Sequence, residues 1–243
     1  MTIKLYEVAR KSIEPFLPPL YKQVRVKLLR EIRKFSASPS ILDVGGRKSP
    51  YTIGVPGRIT IIDLPRNTEV QSALNLGLNE SIVNRIKSRR SNIDRLIIGD
   101  MTKSGIPSES FDLAVSVEVL EHVQDDEKFV SEVCRVLKPG GRFIMTTPNG
   151  DFVENRNPDH KRHYKKQQLS GLLEKYFTNV EVEYAIAGGR YRKIGLKAWS
   201  LHRPLQTVSS AFGNIVNSYQ SSRKDIKDRA IGTHHLVAVA EKH

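Results

Sequence analysis

Five short apolar runs in this chain each end on a side chain that can make hydrogen bonds. Asp43 closes "ILD", Asp63 closes "ITIID", Asp100 follows "LIIG", Glu118 follows "LAVSV" and Asn149 follows "IMTTP". Asp43 and Asp63 lie twenty residues apart, a spacing that suits an acid accepting from the diol of a ribose. Between them, "ILDVGG" supplies a glycine turn at Gly45 and Gly46. A dinucleotide would need three spaced glycines opening straight into a helix, so that its pyrophosphate meets the helix N-terminus. Here Arg47 and Lys48 stand in that place, and "RKSPYTIGVPGR" contains two prolines and two glycines, which disfavours a full helix. The pattern predicts a nucleoside ligand without phosphates.

Proton-handling residues fall in two places. His122 sits in "LEHV", just after the fourth run, and His160 and His163 sit in "NPDHKRHYKKQQL", after the fifth. His122 also reads as a structural helix-start residue, and His163 as surface basicity. His160 or His163 is the favoured general base. His234 and His235 are adjacent in a strand pattern and point to opposite faces, so no metal constellation is expected. The sequence also lacks a Gly-x-Ser-x-Gly or Cys–His nucleophile pattern.

The elements that must hold these groups follow from periodicity. Residues 18–35 carry Leu20, Val24, Leu28 and Ile32 at helical spacing. Segments 41–44, 58–64, 94–100, 111–120 and 142–148 are continuously apolar, as strands covered on both faces require. Phe129, Val130, Val133, Cys134 and Leu137 share a helical face that "KPGG" should end, and Leu169, Leu172, Leu173, Tyr176 and Phe177 predict another helix. Alternating strands at 180–186 and 234–242 close the chain. Strands alternating with helices predict an α/β, doubly wound sheet. Residues 1–38 are expected to form an N-terminal helical extension and 39–243 the main domain, with a basic helical insertion at about 188–232. Within that insertion Leu205, Val208, Phe212, Ile215, Val216 and Tyr219 form one apolar stripe. The ordinary expectation is a helix packed on the core by that stripe. The functional alternative is a lid or a membrane-touching element.

"ILDVGG", the acid of "IIDL", "IIGDM", "FDLAVSVEVLEHV" and "RVLKPGGRFIMTTPN" together resemble the class I S-adenosylmethionine-dependent methyltransferases, within the small-molecule "type 11"-like branch. The resemblance spans about residues 39–180 and the closing strand. It implies a Rossmann-like, seven-stranded sheet, mostly parallel with an antiparallel last strand, and S-adenosylmethionine as cofactor. It also implies that Asp43, Gly45 and Gly46 hold the methionine end, that Asp63 binds the ribose hydroxyls beside Leu64, and that Asp100 and Met101 take the adenine. Val117 and Glu118 would lie beneath the sulfonium. The family's loop usually has three spaced glycines, whereas this chain has Gly45 and then Arg47 and Ser49; a loop of this kind with a shortened first helix would still let the backbone approach the methionine part of the cofactor. Structural alternatives are turn capping by Asp43 and Asp100, and a solvated Glu118.

Composition bounds the setting. With 243 residues and 39% hydrophobic content the chain can bury one sizeable core. A single cysteine, Cys134, excludes an internal disulfide and suits a reducing, cytoplasmic setting. No stretch approaches membrane-spanning length, and the N-terminal segment lacks the continuous apolar run of a signal peptide. The net charge of +13 favours an acidic membrane surface or another polyanion as partner. The leading expectation is methyl transfer to a hydroxyl of a small molecule, glycan or lipid-linked acceptor. RNA methylation is the alternative from charge, disfavoured because no Asn/Asp-Pro-Pro-aromatic stretch follows the fourth run and no RNA-binding module is present. A non-catalytic binding protein on the same scaffold is the third. Oligomeric state is not legible.

Overall fold

The computed structural model describes residues 4–66 and 77–243. Seven strands form one sheet: β1 (Ser40–Val44), β2 (Arg58–Asp63), β3 (Ile93–Ile98), β4 (Phe111–Val117), β5 (Leu137–Pro148), β6 (Thr178–Ala187) and β7 (Thr233–Glu241), in the order β3-β2-β1-β4-β5-β7-β6. β1 to β5 pair in parallel, and β7 runs antiparallel to both β5 and β6. Strand order reverses between β1 and β4, which opens a crevice beyond their carboxyl ends. Val44 pairs with Ile62 and Ser116, and Val117 pairs with Thr146, so the ends of four neighbouring strands are level.

The helices among the described residues are α1 (Leu5–Ile13), α2 (Pro19–Ile32), α3 (Glu80–Arg89), α4 (Asp126–Val136), α5 (Lys166–Glu174), α6 (Arg190–Gly195) and α7 (Pro204–Ser221). Strand alternation sorts their partners. Leu42, Val44, Phe143 and Met145 face α4 and α5, whereas Ile41, Ile59, Ile61 and Ile144 face α2 and α3. α2 begins at paired prolines, which preset its first turn. It buries Leu20, Val24, Leu28 and Ile32, as its period predicts. The N-terminal segment is therefore one wall of the main core, not an appendage.

"KPGG" does not end α4 in a loop. α4 stops at Val136, and the tetrapeptide already belongs to β5, where Gly140 takes a left-handed φ of 70° and donates its N–H to the Lys242 carbonyl. Pairing with the C-terminal strand recruits residues whose local signal is a turn.

Leu28 has no exposed surface, so Leu28→Ala should lower unfolding free energy by about 2–5 kcal/mol. Equilibrium denaturation monitored by circular dichroism measures it, and a loss below about 0.5 kcal/mol would show that α2 is not part of the core.

Candidate active site

The loop after β1 is built around a buried acid. Asp43 is fully buried on the α2 face of the sheet. Thr52 donates to its Oδ2 at 2.7 Å and Tyr51 to its Oδ1 at 3.2 Å. Buried Arg90 donates to Thr52 Oγ1 at 3.0 Å, and the Asn92 amide donates to the Thr52 carbonyl at 2.8 Å. The loop thus folds back over its own strand, and Gly46–Lys48 forms a single 3-10 turn where a helix would otherwise start. Both glycines are sterically required. A Cβ on Gly45, at φ 69°, would sit 2.6 Å from Val119 Cγ2, and one on Gly46 would sit 2.2 Å from Asp43 Cγ. Burial raises the Asp43 pKa to about 6, against the pull of Ser49, Thr52 and Arg90. With its carboxylate taken up inside the loop, Asp43 shapes the Gly45–Gly46 backbone and does not present an oxygen to the crevice.

The next two acids stand at open strand ends. Asp63 is half-buried. Burial raises its pKa, while backbone N–H groups of Leu64 and Arg47 and the charges of Arg47 and Lys48 oppose the rise. Leu64 beside it is exposed. Asp100 caps the 3-10 turn Met101–Lys103, accepting at Oδ1 from the Thr102 N–H and hydroxyl at 2.9 and 2.8 Å. Met101 is buried in the α4-side core and not open at the strand ends. Asn149, read from sequence as a fifth polar strand end, is wholly buried, and its amide is spent on Ala230 and Thr233. It locks the turn before β7 and, with Asp43 also enclosed, leaves the crevice to Asp63, Asp100 and Glu118.

At the end of β4 the backbone is strained. Half-buried Val117 is the last residue of the strand, and Glu118 takes φ 55°, left-handed for a side chain with no local reason to favour it. Thr146 donates its hydroxyl to Glu118 Oε1 at 2.9 Å, and His235 Nε2 lies 3.3 Å from Oε2. Although desolvation pushes the Glu118 pKa up, His235, Thr146 and the nearby His160 together hold it down. Glu121, three residues on, is buried and shifted the other way, first by burial and then by the charge of Glu118. Thr147 donates to its Oε2 at 3.2 Å, while its Oε1 is buried without a partner among the described residues. Two neighbouring carboxyls thus have their proton affinities pushed apart.

Three histidines complete the cluster. His163 Nδ1 lies 2.9 Å from the Val153 carbonyl, which can only accept, so His163 Nε2 is left to accept from His160 Nδ1 at 2.8 Å. His122 Nδ1 donates to the Asp159 carbonyl at 3.1 Å. Each tautomer turns the Nε2 lone pair of His122 and His160 away from its partner, and their rings meet edge to face at 4.6 Å. His163 has both nitrogens engaged, so it orients His160. The Lys161 N–H donates to the Glu121 carbonyl at 2.7 Å, pinning "NPDHKRHY" beside β4. Tyr164 is bound to Asp126 at 2.6 Å, outside the cluster.

Against the sequence expectation of no metal constellation, one ligand atom each from Glu121, His122 and His160 lie within 4.8 Å of one another. Imidazoles oriented by backbone carbonyls or second rings are the usual support of a cation site. The signal was present as Glu121 and His122 in "LEHV", but His160 arrives from 38 residues on. His235 was also missed, because its approach to Glu118 depends on the β5–β7 register, in which it pairs with Pro148.

A family model described as a methyltransferase domain matches residues 55–145. A probable S-adenosylmethionine-dependent methyltransferase of Mycolicibacterium smegmatis is 36% identical over 106 residues, covering 42% of this chain and 41% of that protein. Over these stretches the chain is similar to S-adenosylmethionine-dependent methyltransferases. Malonyl-[acyl-carrier protein] O-methyltransferase of Methylococcus capsulatus is 25% identical over 192 residues, 78% of this chain and 65% of that one. Among solved structures, a SAM-dependent methyltransferase from Archaeoglobus fulgidus superposes with a TM-score of 0.57 at 17% identity, covering 91% and 94% of the two chains. Haemonchus contortus phosphoethanolamine N-methyltransferase 2, in complex with S-adenosyl-L-methionine, gives 0.57 at 18%, covering 90% and 51%. The chain spans about two fifths of the length of the first two curated relatives. Its strand-end residues fit the family's cofactor: a half-buried acid at β2, an exposed Leu64, a half-buried acid at β3 and a glycine turn with no helix to receive a pyrophosphate.

The buried acid has a pH signature. Its folded pKa is raised from 3.8 to about 6, so its contribution is full below pH 4 and is lost as pH climbs through 6. Wild type should lose up to about 3 kcal/mol over that window relative to the slope of Asp43→Asn. Parallel urea titrations from pH 4 to 7 measure it, and identical slopes would mean that Asp43 is ionised throughout.

Proposed function

We propose that this chain carries the methyl group of S-adenosylmethionine to a hydroxyl of a small-molecule, glycan or lipid acceptor. The observation that carries the reading is the Glu118–Glu121–His122–His160 cluster at the end of β4, the strand beside the glycine turn. A hydroxyl must lose its proton as it attacks, and a cluster of nitrogen lone pairs is what such an acceptor needs. When bound, the cofactor would supply an electrophilic methyl carbon, to which the acceptor oxygen bonds in line as the carbon–sulfur bond breaks and the neutral thioether leaves.

The chain's own residues do the rest. Gly45 and Gly46 let the backbone approach the methionine end, and Asp43 supports that turn from beneath. Asp63 accepts from the ribose diol beside Leu64, and Asp100 accepts from the adenine amine, with Met101 backing the site from the core. Val117 and Glu118 set the floor of the crevice, and the Glu118 carboxylate favours the positive sulfonium electrostatically. His160, oriented by His163, takes the acceptor proton, with His122 alongside. A second reading is favoured by the unpartnered Glu121 oxygen. Glu121, His122 and His160 would then hold a divalent cation that lowers the hydroxyl's pKa, and no histidine alone would act as base.

Calorimetry with S-adenosylmethionine should show binding, and Asp63→Ala should weaken it by at least about tenfold. No heat and no thermal shift at millimolar cofactor would sink the assignment. A screen of hydroxyl acceptors with labelled methyl donor should find turnover, reduced roughly 10²-fold or more in His160→Ala at unchanged cofactor affinity. Chelator separates the readings: activity abolished by EDTA and restored by a divalent ion supports the cation, and insensitivity to EDTA supports the histidine base.

A further inference from the structure

α7 is inverted. Its eighteen residues, "PLQTVSSAFGNIVNSYQS", contain no charged side chain. The stripe expected to pack inward faces outward: Leu205 is 86% exposed, Val208 67%, Phe212 57% and Tyr219 76%. The buried face is Ser210, Gly213, Asn214, Asn217 and Ser221.

That orientation is enforced by hydrogen bonds and close contacts. Ser210 Oγ donates to the Gly195 carbonyl at 2.9 Å, Asn214 Nδ2 to the Phe16 carbonyl at 3.0 Å and Asn217 Nδ2 to the Ala187 carbonyl at 2.8 Å. The Ala187 N–H donates to Ser221 Oγ at 3.0 Å. A Cβ on Gly213 would lie 2.8 Å from the Gly195 nitrogen, and one on Gly195 would lie 2.2 Å from Asn214 Oδ1, so no larger residue fits the contact. Rotating the helix to hide its stripe would break all four bonds. The exposed surface extends into the preceding turn, where Leu196 and Trp199 are exposed and Leu201 is 97% exposed.

We propose that the face from Leu196 to Tyr219 docks on an anionic phospholipid bilayer. Charge identifies the occupant. Between Gly188 and Gly232 the chain has nine Lys and Arg against two Asp, and exposed Lys197, Arg203, Arg223 and Lys224 bracket the uncharged stripe at both ends. An apolar stripe between cationic ends is the chemistry of an interfacial helix, with headgroups at the ends and acyl chains against the middle. A second copy fits poorly, because pairing this helix with itself in either direction sets basic ends against basic ends. Nucleic acid needs charge along the contact, and the stripe has none. No described helix is long and apolar enough to cross a membrane, so the contact lies in the interface plane.

Trp199 is the chain's one tryptophan, half-exposed, with Nε1 donating to Ser210 at 3.1 Å. Its emission therefore reports the docking face directly. On vesicles of equal parts phosphatidylglycerol and phosphatidylcholine, the full chain should co-float and Trp199 should shift to the blue, with salt weakening both. Leu205→Gln with Phe212→Gln should weaken binding at least about tenfold while melting temperature and cofactor binding stay unchanged, since both side chains are exposed. Failure to float with anionic vesicles overturns the proposal, as does binding that the double variant leaves intact. A dimer in sedimentation equilibrium that the double variant dissociates, without vesicle binding, assigns the face to a second copy. None of these readouts depends on methyl transfer.

Discussion

A carboxylate with no access to water sits at the end of the central strand, and the geometry of the crevice beyond the strand ends depends on how it is kept there. Asp43 is compensated by Thr52, Tyr51 and the guanidinium behind them. An acid so enclosed is costly unless hydrogen-bonded, and these partners all come from the chain that immediately follows or from the end of α3. The price is the first helix of the domain: residues that would have wound into it fold back to cover the acid, leaving one 3-10 turn. Gly46 then has to be glycine, because the space for its side chain holds the Asp43 carboxyl group. Arg47 and Lys48 occupy positions that a pyrophosphate-binding loop would reserve for glycine and bare N–H groups.

The neighbouring strand end solves a different problem. β4 must deliver Glu118 to the crevice and then turn at once into "LEHV". The left-handed backbone at Glu118 makes that turn, stabilised by Thr146, whose hydroxyl donates to the side chain. The result is two carboxyls three residues apart in unlike surroundings, one favoured as the anion by His235 and Thr146, the other pushed towards its protonated form by burial and by Glu118's charge. Strain at a strand end persists only when its surroundings over-determine it, and here a parallel strand, an antiparallel strand and the 157–163 segment all do so.

Much of this was legible in the sequence, for reasons that can be assigned. The strands were visible because both faces of β1, β2 and β4 are covered, so their residues are continuously apolar. The absence of a helix after Gly46 was visible because proline and glycine act locally. The roles of Asp43, Asn149 and Met101 were not, since a polar or soluble-looking letter at a strand end does not say whether the fold closes over it. Both Asp43 and Asn149 are captured by residues that pattern alone does not bring near: Arg90 for the first, and the turn before β7 for the second. The histidine cluster was half legible. The residue types were evident, but the tautomers that aim them come from backbone carbonyls of Val153 and Asp159.

α7 shows a limit of periodicity itself. A hydrophobic stripe at 3.6-residue spacing marks one face of a helix as different from the other, and burial of that face is an inference from water being the only solvent considered. The opposite face carried its own signal. Ser210, Gly213, Asn214 and Asn217 are small or amide residues at i, i+3, i+4 and i+7, the same periodic offset as an apolar core face. Small residues permit close backbone approach, and buried amides bond to carbonyls left open by neighbouring elements, here those of Phe16, Ala187 and Gly195. When both faces of a helix are periodic, the one that offers specific hydrogen bonds can be the one fixed to the protein. The apolar face then depends on a second apolar phase for its burial, and the basic residues at its ends say which sign of charge that phase carries.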